Sequence, residues 1–399
     1  MNKKKTKNSI RQYLDRPLFL STILLSIFGS FMIISAEMGE SSADLSILTN
    51  ATLKQVINMV VALAGLFILT YKGTFFINLR KHLYTITYYV LLVVLLIPRL
   101  FSPVGGAYAW IRIAGFSIQP SEFAKVFIIL YAAKMFAKND GEKNVNKLKT
   151  YLIHLALYFI VIMVIQKDLG SAVVLLAIGF VCALIPPYKE IKKYQNWMIL
   201  AIICFIVFVI FLLSPVGTKI LEHFSDHYQI LRFLSSANPF NYQYGSGYHL
   251  VMSLVSFATG GLFGLGYGKS IHKFMNFPNP STDFILPVIV EELGLIRGFL
   301  PIVIGYGIIL FKLGIHAKRC LYARGKIIIS GTFMYFMLHF VLNIGGVSGL
   351  IPLTGVPLLL ISSGGSSLIA CMMAIGLSEC EIITYRKKII EDENSSGQV

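Results

Sequence analysis

Runs of about 20 apolar residues recur from end to end of this chain, and they restrict its fold more than any other feature. A run of that length crosses a bilayer as a helix, and backbone inside lipid must satisfy all its hydrogen bonds internally. With 56% hydrophobic residues in 399 positions, the chain reads as an all-α, polytopic membrane protein. Ten spans are predicted, near 17–36, 53–71, 83–100, 119–137, 150–166, 170–187, 196–214, 284–311, 326–345 and 358–380. Residues 1–385 then form one membrane domain, with a large outer loop at 215–283 between spans seven and eight. Residues 386–399 form a cytoplasmic tail, expected to be disordered from Glu391 onward. Leu18–Ile34 is followed by no small-residue cleavage site, so it is read as a retained span and not a signal peptide.

Charge orients the spans. A net charge of +16 invites a nucleic-acid reading, but Lys and Arg accumulate in the cytoplasmic loops of membrane proteins. With the N-terminus inside, most of the 35 Lys and Arg fall on inner segments. These include Lys3, Lys4, Lys5, Lys7, Arg11, Arg80, Lys138, Lys192, Arg319 and Arg386, whereas the first outer loop carries Glu37, Glu40 and Asp44. Both termini are therefore expected in the cytoplasm, and the turns at 167–169, 215–283 and 346–357 outside. No nucleic-acid partner is expected. The five Cys lie in or near apolar segments and form neither a disulfide framework nor a CxxC metal motif.

The stretch Gly245–Gly294 concentrates unusual chemistry. Tyr248–Ala258 places Leu250, Leu254 and Phe257 at helical spacing and predicts an amphipathic surface helix. A glycine cluster, Gly260 to Gly268, precedes Lys269, His272 and Lys273. Thr282 or Asp283 is expected to cap the next helix, which carries Glu291, Glu292 and Arg297 into apolar sequence. As part of one continuous helix, Arg297 would lie about 20 Å from Asp283. A charge at that depth pairs, snorkels or lines a cavity.

Other outer turns add candidates. Pro120 suits the first turn of span four, and Glu122 and Lys125, three residues apart, share a helix face and are read as a structural ion pair. The short turn Gln166-Lys167-Asp168 puts a carboxylate at the mouth of the bundle, where it either caps span six or serves as a general base. His223 and His227 are spaced as a metal pair but lack a third ligand, so no metal site is assigned. Gly and Pro residues between Asn343 and Ser367 break helix at membrane depth, which is tolerated only in protein-buried or cavity-lining backbone.

Five segments, in order, carry a family resemblance. GGAYAWIRIAGFSIQPSEFAK, QKDLGSA, GSGYHL with GGLFGLGYGKS, TDFILPVIVEELG and NIGGVSGLIPLTGVPLLLISSGGSS resemble the motifs of the SEDS family, the FtsW/RodA group of cell-wall polymerases. Lys167, Ala109, Asn279, Ser281, Ser363 and Arg297 depart from its usual residues, and the whole looks more like the division-type members of Gram-positive bacteria. The resemblance implies a peptidoglycan glycosyltransferase that polymerises lipid II at the outer face of the plasma membrane and releases undecaprenyl diphosphate. It implies that Asp168 is catalytic. Arg112, Gln166, Arg232, Lys269, Lys273, Asp283, Glu291 and Glu292 are candidate substrate contacts, the cations among them offsetting charge on the leaving group. No cofactor is assigned, although a divalent cation, Mg or Mn, would serve the same purpose. A class B penicillin-binding transpeptidase and other divisome or elongasome membrane proteins are the implied partners. The alternative is a lipid II flippase, which needs polar groups through the full membrane depth and not mainly at one mouth.

Overall fold

The computed structural model describes residues 12–40, 45–113, 115–223, 228–275, 277 and 279–396. Lys3, Lys4, Lys5, Lys7, Arg11, Asp44, Asp226, His227 and Pro278 lie outside the described residues. The long helices are α1 (Arg16–Glu40), α2 (Leu45–Ile77), α3 (Lys81–Leu96), α4 (Pro120–Met135), α5 (Lys143–Ile160), α6 (Leu169–Leu184) and α7 (Lys192–Leu213). After a loop region with short helices α8 (Pro215–Glu222), α9 (Tyr228–Ala237) and α10 (Tyr248–Gly260) come α11 (Ile285–Gly294), α12 (Leu300–Arg319), α13 (Ala323–Val347) and α14 (Gly365–Ser396). A small hairpin, β1 (Ile111–Ile113) and β2 (Phe116–Ile118), precedes α4.

Nine of the predicted spans coincide with helix, because apolar runs of this length have no other way to satisfy their backbone in lipid; the tenth, expected at 358–380, is helical only from Gly365, and its first residues are irregular backbone. Eight helical stretches are long and apolar enough to cross a membrane. The α4 and α6 helices, of 16 residues each, are shorter and lie in the middle of the bundle. There Ala124, Ile128 and Ala132 of α4 meet a buried core shared with Leu175 and Ile178 of α6, Ile328 and Phe336 of α13, and Cys371 and Ile375 of α14. In contrast, α7 stands at the edge, with Trp197, Ile203, Phe208 and Ile210 exposed and only Gln195 buried.

Two expectations are corrected. The eighth span is not one helix: Gly294 has φ +77, which ends α11 and starts a π turn at Leu295–Phe299. The glycine turn 261–266 satisfies the broken backbone. Leu265 and Gly266 donate to the Glu291 and Glu292 carbonyls at 2.9 and 2.8 Å, while Leu295 and Ile296 donate to the Gly261 and Leu262 carbonyls at 3.0 and 3.1 Å. Arg297 therefore sits in the first turn after this break, exposed and 5.7 Å from the Phe263 ring centre. The tail from Glu391, expected to be disordered, continues α14 to Ser396.

The candidate active site

Asp168 caps α6: its Oδ1 accepts from the Ser171 backbone N–H at 3.0 Å. The other oxygen accepts from Gln119 Nε2 at 3.0 Å, and the same amide reaches Ser171 Oγ at 3.2 Å. Gln119 is itself fixed at the start of α4, where its backbone N–H donates to Ser366 Oγ at 2.9 Å. Lys167 holds φ +55, an uncommon geometry for a side-chain-bearing residue, and turns outward before the capped helix. The capping role expected of Asp168 is thus present, and it leaves the carboxylate partly exposed.

Asp283 faces the same place from the turn before α11. Neither it nor Thr282 caps that helix, contrary to expectation; Phe284 occupies the cap position without a side-chain bond. Burial raises the Asp283 carboxyl, the charge of Asp168 raises it further, and Arg232 opposes both, leaving it pushed up to about 7. Arg232 reaches across from α9 and also donates to the Leu353 carbonyl at 3.3 Å.

Irregular backbone at 348–364 forms a wall between these carboxylates. Asn343 Nδ2 donates to the carbonyls of Asp283 and Val356, each at 2.9 Å. A Cβ at Gly170 would come within 2.6 Å of the Thr354 carbonyl oxygen, and one at Gly355 within 3.4 Å of Asp283 Oδ2. Only glycine lets the wall approach the Asp168 turn this closely.

The remaining candidates divide. Glu122 and Lys125 form the expected ion pair, at 2.6 Å and buried. Arg112 on β1 and Lys269 are exposed, and no hydrogen bond or ion pair links either to Asp168 or Asp283 among the described residues. Three others are buried. Lys273 is enclosed, 2.7 Å from Glu292 Oε1 and 3.0 Å from both oxygens of Ser35 on α1. Glu292 also accepts from the Gly268 N–H at 3.0 Å, and Glu291 from Ser270 Oγ, the Ile271 N–H and His272 Nδ1 at 2.5, 3.1 and 2.7 Å. These three charges fasten the 265–273 loop to α11 and α1 and present nothing to a substrate in this conformation. Gln166 is likewise turned inward, donating to the Leu95 carbonyl at 2.7 Å.

Sequence reasoning passed over Gln119, Asn343 and His339. An imidazole inside an apolar helix was the available signal for His339, since polar groups in spans are rarely idle. Among the described residues no three His, Cys, Asp or Glu side chains gather around a point where one metal ion would be held. His223 of the i,i+4 pair bonds instead to the Lys219 carbonyl at 3.0 Å. Two surface cavities, of about 430 and 520 Å³, lie against Asn78 and Arg80 and against Tyr188 and Lys192, and neither includes Asp168 or Asp283.

Comparison with known proteins bears on this arrangement. The family described as "Cell cycle protein", FtsW/RodA/SpoVE, matches residues 15–387. A probable peptidoglycan glycosyltransferase FtsW from Bacillus subtilis is 31% identical over 378 residues, covering 93% of this chain and 91% of that protein. Stage V sporulation protein E of the same organism is 30% identical over 367 residues, covering 91% and 95%. Among solved structures, the Thermus thermophilus rod shape determining protein RodA superposes with a TM-score of 0.58 at 22% identity, covering 94% and 97% of the two chains. A chain of a peptidoglycan synthase complex that coordinates polymerization and crosslinking gives 0.64 at 22% identity, covering 94% and 98%. Matched from residue 15 to residue 387, and close to full length in its relatives, the chain belongs to the FtsW/RodA/SpoVE family of cell cycle proteins.

Proposed function

We propose that the chain polymerises lipid II into glycan strands at the Asp168–Asp283 end of the bundle. It is a peptidoglycan glycosyltransferase and a multi-pass membrane protein. In our reading the Asp168 end faces outward, because the basic clusters at Lys192, Arg319 and Arg386 belong to the opposite end. The acceptor sugar hydroxyl gives its proton to a carboxylate. Its oxygen then attacks the anomeric carbon of the donor, and the bond to the lipid pyrophosphate breaks with the electron pair on the leaving oxygen. A single displacement of this kind inverts the anomeric carbon. Arg232 is the cation best placed to offset charge beside the reacting groups, and Arg112 and Lys269 are exposed cations suited to a pyrophosphate.

The observation that carries this reading is the pair of facing carboxylates with one held at about 7. A base works best with a pKa near the working pH. We therefore assign the base to Asp283, and give Asp168, committed to Ser171 and Gln119, the task of keeping that pKa high. A transpeptidase of the penicillin-binding class is the partner, by analogy with the synthase complex of similar fold. The flippase alternative is disfavoured because the polar groups deeper in the bundle, Glu122, Lys125 and Tyr335, are closed on one another and line no path. The test is polymerisation of labelled lipid II by purified protein, with and without its transpeptidase, beside Asp283→Asn and Asp168→Asn. Glycan chains from wild type and none from folded Asp283→Asn support the assignment. Polymer from Asp283→Asn but none from Asp168→Asn moves the base to Asp168, and scrambling of lipid II without polymer hands the case to the flippase.

A further inference from the structure

One turn beneath the carboxylates lies a closed network that the mechanism does not use. Lys125 Nζ is 2.6 Å from Glu122 Oε1 and 3.3 Å from His339 Nε2, and Tyr335 donates to the second Glu122 oxygen at 2.7 Å. All four side chains are buried. An ammonium only donates hydrogen bonds, so it makes His339 Nε2 an acceptor and leaves the imidazole proton on Nδ1. That Nδ1–H meets the Pro357 carbonyl oxygen at 2.9 Å. The two contacts select one tautomer, and that tautomer joins α4 and α13 to the irregular wall.

Pro357 ends the part of the wall that reaches both acidic turns. Three residues earlier the Thr354 carbonyl rests on Gly170, two residues from Asp168, and Gly355 lies against Asp283. The Val356 carbonyl is held by Asn343. We propose that Glu122, Lys125 and His339 are positioning residues, which fix the tautomer that clamps Pro357 and so hold residues 353–357 at their spacing from Asp168 and Asp283. The consequence for turnover rests on the polymerase reading; the clamp itself does not.

The experiment compares His339→Leu with His339→Gln. A glutamine amide offers an acceptor oxygen to Lys125 and a donor N–H to Pro357, reproducing the polarity of the imidazole. Leucine offers neither. Two quantities are read: hydrogen exchange of the amides in 349–361, and kcat and KM for lipid II polymerisation. In the leucine variant, exchange rises about tenfold or more, kcat falls about tenfold or more and KM stays within about threefold, as loss of positioning and not of binding requires. The glutamine variant stays within about threefold of wild type on all three. Should the leucine variant fail to fold, His339→Phe keeps a ring without nitrogens and takes its place. Unchanged exchange in the leucine variant, equal exchange in the leucine and glutamine variants, or fast exchange with wild-type kcat overturns the proposal. Exchange is measured without substrate, so a failed clamp and a failed polymerase reading give different results.

Discussion

The two ends of the bundle each hold an aspartate among packed helices, and they treat it in opposite ways. At one end Asp15 Oδ2 is 2.8 Å from His316 Nε2, 3.1 Å from Arg386 Nη2 and 3.6 Å from Lys312 Nζ. Burial acts to raise its carboxyl, but the His316 hydrogen bond, the Leu18 N–H and the charges of His316 and Lys312 overcome this and hold it well below the usual carboxylate range. At the other end Asp283 has one cation, Arg232, against burial and the charge of Asp168, and it is pushed up to about 7. Burial is common to both, so burial alone does not say what a carboxylate does. The balance of neighbouring charge does. Asp15 is committed to joining the start of α1 to α12 and α14, whereas Asp283 is ready to exchange a proton near neutral pH.

The largest expected effect tests that contrast directly. Asp283→Asn removes the base and lowers the polymerisation rate by about a thousandfold, within the range for general base catalysis, with little change in unfolding temperature. Asp15→Asn does the reverse. It leaves Lys312, Arg386 and the His316 ring without their shared carboxylate and costs about 3 kcal/mol of stability, as breaking a buried pair does, while rate per folded molecule stays near wild type. Initial rates and thermal unfolding on the same preparations check both; a stable, inactive Asp15→Asn protein would erase the distinction between the ends.

A second contrast concerns two lysines of one loop. Lys273→Met leaves Glu292 buried without its cation and costs about 3 kcal/mol, seen as faster proteolysis within 265–275. Lys269→Met, four residues earlier and exposed, changes stability by less than about 1 kcal/mol. If both lysines prove silent to protease, the latch made by Glu291 and Glu292 contributes no stability.

Those two lysines also mark the limit of what the sequence conveys. The helices were legible because apolar length and lipid allow one backbone solution. The Asp168 cap and the Glu122–Lys125 pair were legible because each depends on residues within four positions of one another. The Tyr248–Gly260 segment was legible as helix but not in its facing: it buries Ser253 and Ser256 beside Leu250, while Leu254 and Phe257, expected on the apolar face, are only half-buried. The burial of Lys273 was not, since its partner Ser35 lies 238 residues away and nothing local requires the loop to fold back on α1. The break at Gly294 escaped for a similar reason: the 261–266 turn that completes the broken helix comes from about thirty residues earlier, and glycine alone signals no partner. The roles of the two acidic turns were hidden most deeply. Local sequence offers Asp168 as cap or base and Asp283 as a helix cap, and only their meeting across the 353–357 wall raises the second.

The finest expected effect sharpens the opening contrast without abolishing activity. A general base accepts a proton only when ionised, so a group near 7 makes the wild-type rate fall as pH drops below about 7. Replacing Asp168 with Asn removes a negative neighbour that disfavours the ionised form. Asp283 then ionises more readily, and the acid limb of the pH–rate profile moves to lower pH. Replacing Arg232 with Met removes the cation that favours ionisation, and the limb moves to higher pH. Between the two limbs the rate at any single pH differs by less than about tenfold from the wild-type profile once maxima are matched. Profiles of kcat/KM across the three proteins read the sign of each shift. Opposite signs mean that the carboxyl being titrated is the one these two residues flank, which is Asp283; a limb that moves the same way in both variants assigns the titration to another group.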